Sequence, residues 1–340
     1  MLDAEMAAWS KPGRALVTVL VALAATACGG GGSSDGGSSS GTGTGTGTGT
    51  PDKATRIAAA QQTAAANANC AAVSPFYYEI GDKAGAIASG SIGGTTYTAT
   101  TVMNIASASK WLFGAYVAQV RGGTLTATDV QATHMQSGYV SMGNACGPNM
   151  TVASCFAFSG NDTYTPASLG RFHYDSGHFE KWGTDNGMAS MTGADVALAY
   201  QSQLGSDIAV SFNGPLLAGG AITSAQSYAV FLRKILNGQL QIAGLLGYQK
   251  TCTLPGTCAT AEYSPLPANW SYSVGHWVED DPTTGDGSFS SAGAFGFYPW
   301  IDSTKTYYGV LARMDTSGSG YPSAQCGGLI RKAYITGIAQ

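Results

Sequence analysis

The chain has 340 residues, of which 44% are hydrophobic and only 11% are charged, against about 25% charged residues in a typical globular protein. This apolar content is enough for a large core, and it excludes a coiled coil and an intrinsically disordered chain. The formal net charge of −4 at pH 7 leaves no basic surplus to neutralise phosphates, so nucleic acid is not expected as a partner.

The N-terminal segment has the pattern of an export signal. Two basic residues precede a run of small and apolar residues from 15 to 27, shorter than the about 20 residues that a bilayer span needs. Residues 1–27 are therefore predicted to be a signal peptide. The stretch from Leu23 to Cys28 resembles a bacterial lipoprotein box, which implies that Cys28 is acylated and anchors the chain in the cell envelope, facing the periplasm or the exterior. Ordinary secretion after cleavage at Ala27 is the alternative.

A low-complexity segment separates this signal from the rest of the chain. Residues 28–52 contain the candidate anchor cysteine and a stretch composed almost only of Gly, Ser and Thr. These side chains bury too little area to offset the loss of chain entropy, so we expect a flexible tether. Residues 53–340 remain for the folded part, and this length fits one large domain or two lobes.

The cysteines indicate the compartment of the folded part. The chain has seven cysteines, and six remain once Cys28 is set aside. An exported protein folds in an oxidising compartment, so pairing is expected. Two pairs are close in sequence and bracket turn residues, which favours local disulfides, and the remaining pair would join the start of the domain to its last helix. The predicted disulfides are Cys70–Cys326, Cys146–Cys155 and Cys252–Cys258.

The first half of the domain predicts a helix, a meander of strands and a second helix. Residues 53–72 are rich in Ala and Gln without Pro or Gly, which indicates a helix. Short β-prone runs separated by glycines predict strands over 76–80, 86–92 and 95–101. Residues 110–121 are apolar nearly all round and end at two glycines, which is typical of a buried helix.

The second half follows a polar, turn-rich block over residues 126–187. After this block, the predicted elements are helices over 192–204 and 224–236, strands over 270–279, 289–302 and 306–313, and a last helix over 322–337. Strands at both ends of the domain, with helices between them, imply one antiparallel sheet built from both chain ends. The predicted fold class is therefore α+β, with the sheet flanked by the N- and C-terminal helices and a mostly helical lobe inserted.

An S-x-x-K pattern formed by Ser107 and Lys110 stands at the start of the predicted buried helix. Residues three apart share a helix face, so the Lys110 amine is expected beside the Ser107 hydroxyl. A lysine desolvated among apolar side chains has a lowered pKa and can accept the serine proton. The alternative is an N-cap serine followed by a lysine whose amine reaches solvent.

Two later segments carry residues suited to the same chemistry. Tyr174 would act as a second proton carrier if it lies beside the lysine, and the alternative is a core tyrosine with a satisfied hydroxyl. The small residues from Ser291 to Ala294 begin a predicted strand, where substrate could lie along the backbone and the Ala294 N–H could face the reacting carbonyl. The alternative for this segment is a strand that needs close packing.

In order and spacing, these segments resemble the motifs of the penicillin-recognising serine hydrolases: class C β-lactamases, DD-peptidases and family VIII carboxylesterases. Those enzymes carry S-x-x-K, then Y-x-N, then K/H-T/S-G on the inner edge of the sheet. The flanking stretches 103–106, 217–238 and 272–278 are similar to the family as well, so the likeness covers most of residues 70–335. It implies a β-lactamase/transpeptidase-like fold.

The resemblance also implies a role for each matching residue. Ser107 would be the acylated nucleophile, Lys110 its general base and Tyr174 the second acid–base group. The N–H groups of Ser107 and Ala294 would form the oxyanion hole. The implied substrate-binding residues are Ser176, Ser291, Ala292 and Gly293.

Two motif positions depart from the family. Ser176 replaces the Asn of the second motif, and Ser291 with Ala292 replaces the cation and hydroxyl of the third. In β-lactam-binding members this cation and hydroxyl hold the substrate carboxylate, and a charge-assisted hydrogen bond contributes about 1.5–3 kcal/mol. Their loss favours ester or small-amide hydrolysis. Arg313, at the end of a neighbouring predicted strand, is a candidate replacement cation, with a solvated strand end as the alternative.

The sequence therefore predicts a monomeric serine hydrolase that acts on a small-molecule ester or amide through an acyl-enzyme and touches the membrane only through its anchor. A class C-type β-lactamase or DD-peptidase is the first alternative, and a catalytically silent binding protein on the same scaffold is the second. His173 and His178, near Glu180, could suggest a metal site, but their spacing does not place both on one helical face. No metal and no cofactor are predicted.

Overall fold

The computed structural model of the chain describes residues 51–143, 146–316 and 319–340. The predicted signal peptide, the Cys28 anchor and nearly all of the predicted linker lie outside the described residues. Within these three ranges, no helix combines the length and the apolar character needed to cross a bilayer.

Short strands alternate with helices along the described chain. The helices are α1 (Lys53–Ala66), α2 (Ala68–Ala71), α3 (Ser109–Val120), α4 (Ala127–Thr133), α5 (Val152–Phe156), α6 (Gly177–Asp185), α7 (Gly193–Leu204), α8 (Ala225–Leu236) and α9 (Gly320–Thr336). The strands are β1 (Phe76–Gly81), β2 (Ala86–Ile92), β3 (Met103–Asn104), β4 (Ser137–Tyr139), β5 (Tyr164–Leu169), β6 (Phe172–His173), β7 (Ser211–Phe212), β8 (Ala221–Thr223), β9 (Thr251–Cys252), β10 (Ala261–Tyr263), β11 (Ser271–Ser273), β12 (His276–Val278), β13 (Phe289–Ser290), β14 (Tyr298–Ile301) and β15 (Tyr308–Ala312).

The main sheet is built from both ends of the domain, as the sequence predicts. Its strand order is β2-β1-β15-β14-β13-β12-β11-β9, and every neighbouring pair is antiparallel. Strands β14 and β15 are buried at every residue, which indicates that both faces of the sheet are covered. Helices α1 and α9 pack together, α9 and α8 both pack on β15, and α3 lies against β12. The predicted α+β class is confirmed.

Two predicted strands are hairpins, and their glycines supply the turns. The segment 270–279 splits into β11 and β12 around Gly275, whose φ of 70° lies in the left-handed region that glycine enters freely. The segment 289–302 splits into β13 and β14, with a turn that ends at Gly296, where φ is 98°. The apolar pattern continues through both turns, so periodicity alone does not reveal them.

Two other predictions are wrong: the strand over 95–101 does not form, and the helix over 53–72 is interrupted. Residues 95–101 form no strand, because the hydroxyls of Thr98 and Thr101 hydrogen-bond to each other and the Thr98 N–H donates to Thr101 Oγ1 at 2.9 Å. The helix predicted over 53–72 is interrupted at Asn67, which is extended, and its side chain accepts a hydrogen bond from the Asn69 N–H to begin α2.

Helix α3 approaches the β11–β12 turn more closely than a side chain would allow. A Cβ atom at Gly114 would overlap the carbonyl of Val274, and one at Gly275 would overlap the carbonyl of Lys110. Every residue of α3 from Ser109 to Ala118 is buried, as the apolar sequence of this helix predicts. The first turns of α3, which include Lys110, are therefore packed closely against the β11–β12 turn.

Three disulfides join the cysteines of the described residues. They are the predicted pairs Cys70–Cys326, Cys146–Cys155 and Cys252–Cys258. The first joins α2 to α9, and the other two close short loops. Structural disulfides are typical of proteins in oxidising compartments, so the chain has the features of an extracytoplasmic protein.

A buried ion cluster holds α9 to the β12–β13 connection. Arg331 on α9 donates to Glu279 Oε2 at 2.6 Å, to the Tyr298 hydroxyl at 2.7 Å and to Asp286 Oδ2 at 2.8 Å. The side chains of Arg331 and Glu279 are each only 4% exposed. Because both charges are desolvated, each depends on the other for compensation.

Candidate active site

Ser107 lies in a tight turn between a short strand and a buried helix. Strand β3 pairs with β8, and the chain then turns through Ala106, a non-glycine residue with a left-handed φ of 44°. The Ala106 N–H donates to the Asn104 side chain at 2.7 Å, and Ser109 Oγ donates to the Ala106 carbonyl at 2.6 Å. These bonds hold a strained backbone, which is common where a reactive group must be presented.

Lys110 meets Ser107 at hydrogen-bond distance. Its Nζ lies 3.0 Å from Ser107 Oγ and donates to the Ala218 carbonyl at 2.9 Å. The lysine is only 3% exposed. Desolvation lowers the pKa of Lys110 to about 7, although Asp175 and Glu180 oppose the shift. A large fraction of the amine is therefore neutral near pH 7 and can act as a base.

The alternative reading of the S-x-x-K pattern does not fit this geometry. The N-cap of α3 is Ala108, and no side chain makes a capping hydrogen bond there. Ser107 is partly exposed while Lys110 is buried, so the amine does not reach solvent. The pair therefore has the arrangement of a nucleophile and its base rather than that of a cap and a solvated lysine.

Tyr174 completes the group of reactive side chains. Lys110 Nζ lies 4.7 Å from the centroid of its ring, and the ring stacks on Trp277 at 5.4 Å between centroids. Burial raises the pKa of the Tyr174 phenol, and interaction with the Ser107 side chain opposes the rise. The phenol is therefore protonated near neutral pH and has a proton to donate.

The segment from Ser291 to Ala294 lies beside the nucleophile turn. Ser291 Oγ donates to the Ser107 carbonyl at 3.1 Å, and a Cβ atom at Gly293 would overlap the Ile105 carbonyl. Ser291 and Ala292 are buried, whereas Ala294 is exposed in the turn that follows. The structure thus uses the Ser291 hydroxyl to hold Ser107, and the oxyanion role of Ala294 stays a prediction.

Comparison with solved structures places this arrangement in a known fold. A proposed β-lactamase from Bacteroides dorei DSM 17855 is 20% identical, with a TM-score of 0.56 over 76% of this chain and 93% of its own. The octameric penicillin-binding protein homologue from Pyrococcus abyssi is 15% identical, with a TM-score of 0.57 over 78% and 74% of the two chains. EstCE1, a hydrolase with promiscuous acyltransferase activity, is 11% identical, with a TM-score of 0.57 over 83% and 99%. The chain has the β-lactamase/penicillin-binding-protein fold.

Sequence comparison alone does not reach this fold. No protein-family model matches the chain, and no curated protein matches it in sequence. At identities of 20% and below, the structural match establishes the architecture, while the chemistry depends on the site itself.

Within the β-lactamase-like fold, Ser176 and the candidate replacement cation Arg313 both have definite surroundings. Ser176 is the N-cap of α6, is partly buried and makes no side-chain capping bond. Arg313 lies against Gly296, in the turn after the third motif, and pairs with Asp315 at 2.8 Å. Its side chain is only 13% exposed. The candidate replacement cation is therefore not the solvated strand end of the alternative, and a carboxylate of the chain already balances its charge.

The imidazole rings of His173 and His178, near Tyr174, have different partners. His178 is fully buried and bonds to Ser137 and to the His173 carbonyl, and burial lowers its pKa to about 3. His173 instead pairs with Glu262.

Sequence reasoning missed the position of Glu180 in this site, because it considered the residue only as a possible metal ligand. Glu180 Oε1 accepts a hydrogen bond from the Leu217 N–H at 2.6 Å, beside the Ala218 carbonyl that holds Lys110. A carboxylate six positions after Tyr174 is the signal that could have indicated it, because one short segment then brings both side chains to the same base.

Proposed function

We propose that the chain is a serine hydrolase that acts on esters or small amides through an acyl-enzyme at Ser107. The observation that carries this proposal is the 3.0 Å contact between Ser107 Oγ and a buried Lys110 whose pKa is lowered to about 7. A serine needs an adjacent base to become nucleophilic, and a neutral lysine in an apolar site is such a base.

In the proposed acylation, the proton that the serine hydroxyl loses is balanced by the proton that the leaving group gains. Ser107 Oγ attacks the acyl carbon of the substrate while neutral Lys110 takes the hydroxyl proton. Negative charge then develops on the carbonyl oxygen, and the N–H groups of Ser107 and Ala294 stabilise it. As the bond to the leaving group breaks, the Tyr174 phenol gives its proton to the departing alkoxide or amine, and Lys110 passes the serine proton on to Tyr174.

Deacylation repeats these steps with water as the nucleophile. Water attacks the acyl carbon of the ester on Ser107 while neutral Lys110 takes one of its protons, and this proton passes to Oγ as the bond from carbon to Oγ breaks. The products are a carboxylic acid and the free serine, with Lys110 again neutral. No cofactor enters this cycle, and every proton taken from serine or water is given back.

The third motif supports esters or small amides over β-lactams. Neither Ser291 nor Ala292 supplies a cation, and the Ser291 hydroxyl is occupied by the Ser107 carbonyl. Arg313 is already paired with Asp315. A substrate carboxylate would therefore lack the charge-assisted hydrogen bonds that contribute about 1.5–3 kcal/mol each. Substrates without a carboxylate lose nothing from this absence.

We further propose that the hydrolase works in the bacterial cell envelope. Three disulfides fit an extracytoplasmic location. The lipoprotein-like stretch ending at Cys28 would provide a lipid anchor, and the Gly, Ser and Thr segment after it would provide a tether. Secretion without a lipid is the alternative, and the mass of the mature N-terminus distinguishes the two.

A paired rate assay tests the proposed activity. Purified exported protein is given a p-nitrophenyl short-chain ester and, separately, a chromogenic cephalosporin. We expect ester turnover, with a kcat/KM for the cephalosporin lower by about tenfold or more because its carboxylate has no clamp. Ser107→Ala should reduce ester turnover by on the order of 10³-fold, because it removes the nucleophile.

One control variant and two contradicting outcomes belong to this assay. Ser303→Ala removes an exposed hydroxyl in the β14–β15 turn and should leave both rates unchanged. Efficient cephalosporin cleavage would contradict the preference for esters and would assign substrate binding to another cation, with Arg313 the first to replace. Ester and cephalosporin rates that are both insensitive to Ser107→Ala would reject the hydrolase and favour a silent binding scaffold.

A further inference from the structure

Glu180 is an acidic residue buried next to the proposed base, and the reaction above does not use it. It lies on α6, is fully buried, and is brought to the site by the same segment that carries Tyr174. One carboxylate oxygen, Oε1, accepts from the Leu217 N–H at 2.6 Å. A buried carboxyl with such backbone contacts needs an explanation.

The Leu217–Ala218 backbone joins Glu180 to Lys110. The Leu217 N–H donates to Glu180 Oε1 at 2.6 Å, and the Ala218 carbonyl accepts from Lys110 Nζ at 2.9 Å. Both residues of this backbone segment are fully buried, so water cannot substitute for either contact. The position of the lysine amine beside Ser107 therefore depends on a backbone that Glu180 fixes.

The second carboxylate oxygen of Glu180 indicates its protonation state. Oε2 is buried and has no hydrogen-bond partner among the described residues, and the same is true of the Tyr200 hydroxyl. A bare, ionised oxygen in such a place is costly, so the neutral carboxyl is favoured. In agreement, desolvation raises the pKa of Glu180 to about 8, while hydrogen bonds from Leu217 and Ala218 and the charge of Lys110 oppose the rise.

Few titratable side chains surround Lys110 and Glu180. The titratable side chains that face Lys110 or Glu180 are Tyr174, Asp175, His178 and Tyr200. Burial lowers the pKa of His178 to about 3, and burial raises the pKa of both tyrosines, so these three are neutral around pH 7. Asp175 is the other carboxyl that favours the charged lysine, and its Oδ1 is held by the Gly177 N–H at 2.7 Å.

We propose that Glu180 is a positioning residue for the Lys110 base: it fixes the Leu217–Ala218 backbone that holds the amine, and its charge controls how readily Lys110 gives up its proton. This inference rests on the proposed function of Lys110 and deepens it. When Glu180 is neutral, it adds no negative charge that would hold the proton on Lys110. When it is ionised, the negative charge favours the ammonium form, which cannot accept the serine proton. The two groups therefore titrate as a pair.

Glu180→Gln tests the electrostatic part. Glutamine keeps an acceptor for the Leu217 N–H and removes the charge that the carboxyl gains above about pH 8, so Lys110 should lose its proton over a narrower and lower pH range. Wild-type kcat/KM for the ester should rise with pH through about 7, since only neutral Lys110 is active. Ionisation of Glu180 near pH 8 keeps part of Lys110 protonated in wild type, so the wild-type rise should extend above pH 8. In Glu180→Gln the rise should be complete at lower pH, with the plateau value of kcat kept within about threefold.

Glu180→Ala tests the positional part. Alanine leaves the buried Leu217 N–H without its acceptor, so the backbone can shift and Lys110 with it. We expect the kcat plateau to fall by about tenfold or more, and glutamine to restore it. Loss of activity in Glu180→Ala together with a Glu180→Gln profile identical to wild type would show a merely structural residue and would overturn the inference.

Two further measurements separate this inference from the proposed function. Asp185→Asn removes an exposed carboxylate of the same helix and should leave the pH profile unchanged. Nuclear magnetic resonance titration of ¹³C-labelled lysines, with Lys110 assigned by its replacement, reports the Lys110 pKa without any substrate. A lower Lys110 pKa in Glu180→Gln supports the coupling even if no ester is turned over, whereas Ser107-dependent turnover with an unchanged Lys110 pKa contradicts it.

Discussion

Replacing Lys110 by methionine is expected to lower kcat for ester hydrolysis by about 10²- to 10⁴-fold, because general-base assistance of this size is lost. Lys110 is the base nearest Ser107 Oγ, at 3.0 Å, and the buried site leaves little room for water to replace it. Methionine is long, unbranched and apolar, so it fills the space of the lysine stem. The measurement is kcat at saturating ester, together with Tm.

The stability of this variant separates a chemical role from a structural one. A buried amine is costly to desolvate, so Lys110→Met should fold with a Tm close to that of wild type. Lys181→Met, which removes a lysine from the surface of α6, should keep wild-type kcat. If Lys110→Met retained kcat within about threefold of wild type, Lys110 would not be the base.

Replacing Arg331 by methionine is expected to lower the free energy of unfolding by about 3–5 kcal/mol, because it leaves the buried Glu279 without its counter-charge. Arg331 bonds to Glu279, Tyr298 and Asp286, and the two partners of the central ion pair are each 4% exposed. Urea denaturation of the oxidised protein measures the loss. The cluster lies away from Ser107, so kcat should change little in the folded fraction.

A second variant shows whether the uncompensated charge is the cause. Adding Glu279→Gln to Arg331→Met removes that charge and should recover part of the lost free energy. Lys250→Met breaks an exposed pair with Asp280 and should cost at most about 1 kcal/mol. A loss below about 1 kcal/mol for Arg331→Met would mean that the cluster does not hold α9 to the sheet.

The fold could be predicted from the sequence where one local pattern decides one element. Helix α3 is apolar on every side and is buried on every side. Helix α8 begins at Ser224, whose side chain accepts from the Ser227 N–H, and it ends at Asn237 as its sequence indicates. The hairpin at Gly275 could not be predicted in this way, because the glycine is required by the close approach of α3, which is a tertiary contact.

The contacts of the candidate site also differ in whether the sequence could predict them. Ser107 lies in a 3-10 turn over Ala106–Ala108 that runs directly into α3, so residues three apart still share a face and the spacing was enough to predict the contact with Lys110. The Ser291 hydroxyl donates to the Ser107 carbonyl, although the two residues are 184 positions apart in the sequence. No local sequence pattern predicts such a hydrogen bond. The contact of Glu180 with the Leu217 backbone is of the same kind, with 37 residues between the partners.

The central claim is that Ser107 is a nucleophile activated by Lys110, and covalent labelling tests it most directly. The exported protein is incubated with a fluorophosphonate, which reacts with activated serines by losing fluoride, and its intact mass and peptide map are then measured. The account predicts one phosphonyl adduct on the peptide that contains Ser107, no adduct in Ser107→Ala, and much slower labelling in Lys110→Met. An unlabelled wild-type protein, or an adduct that persists in Ser107→Ala, would contradict it.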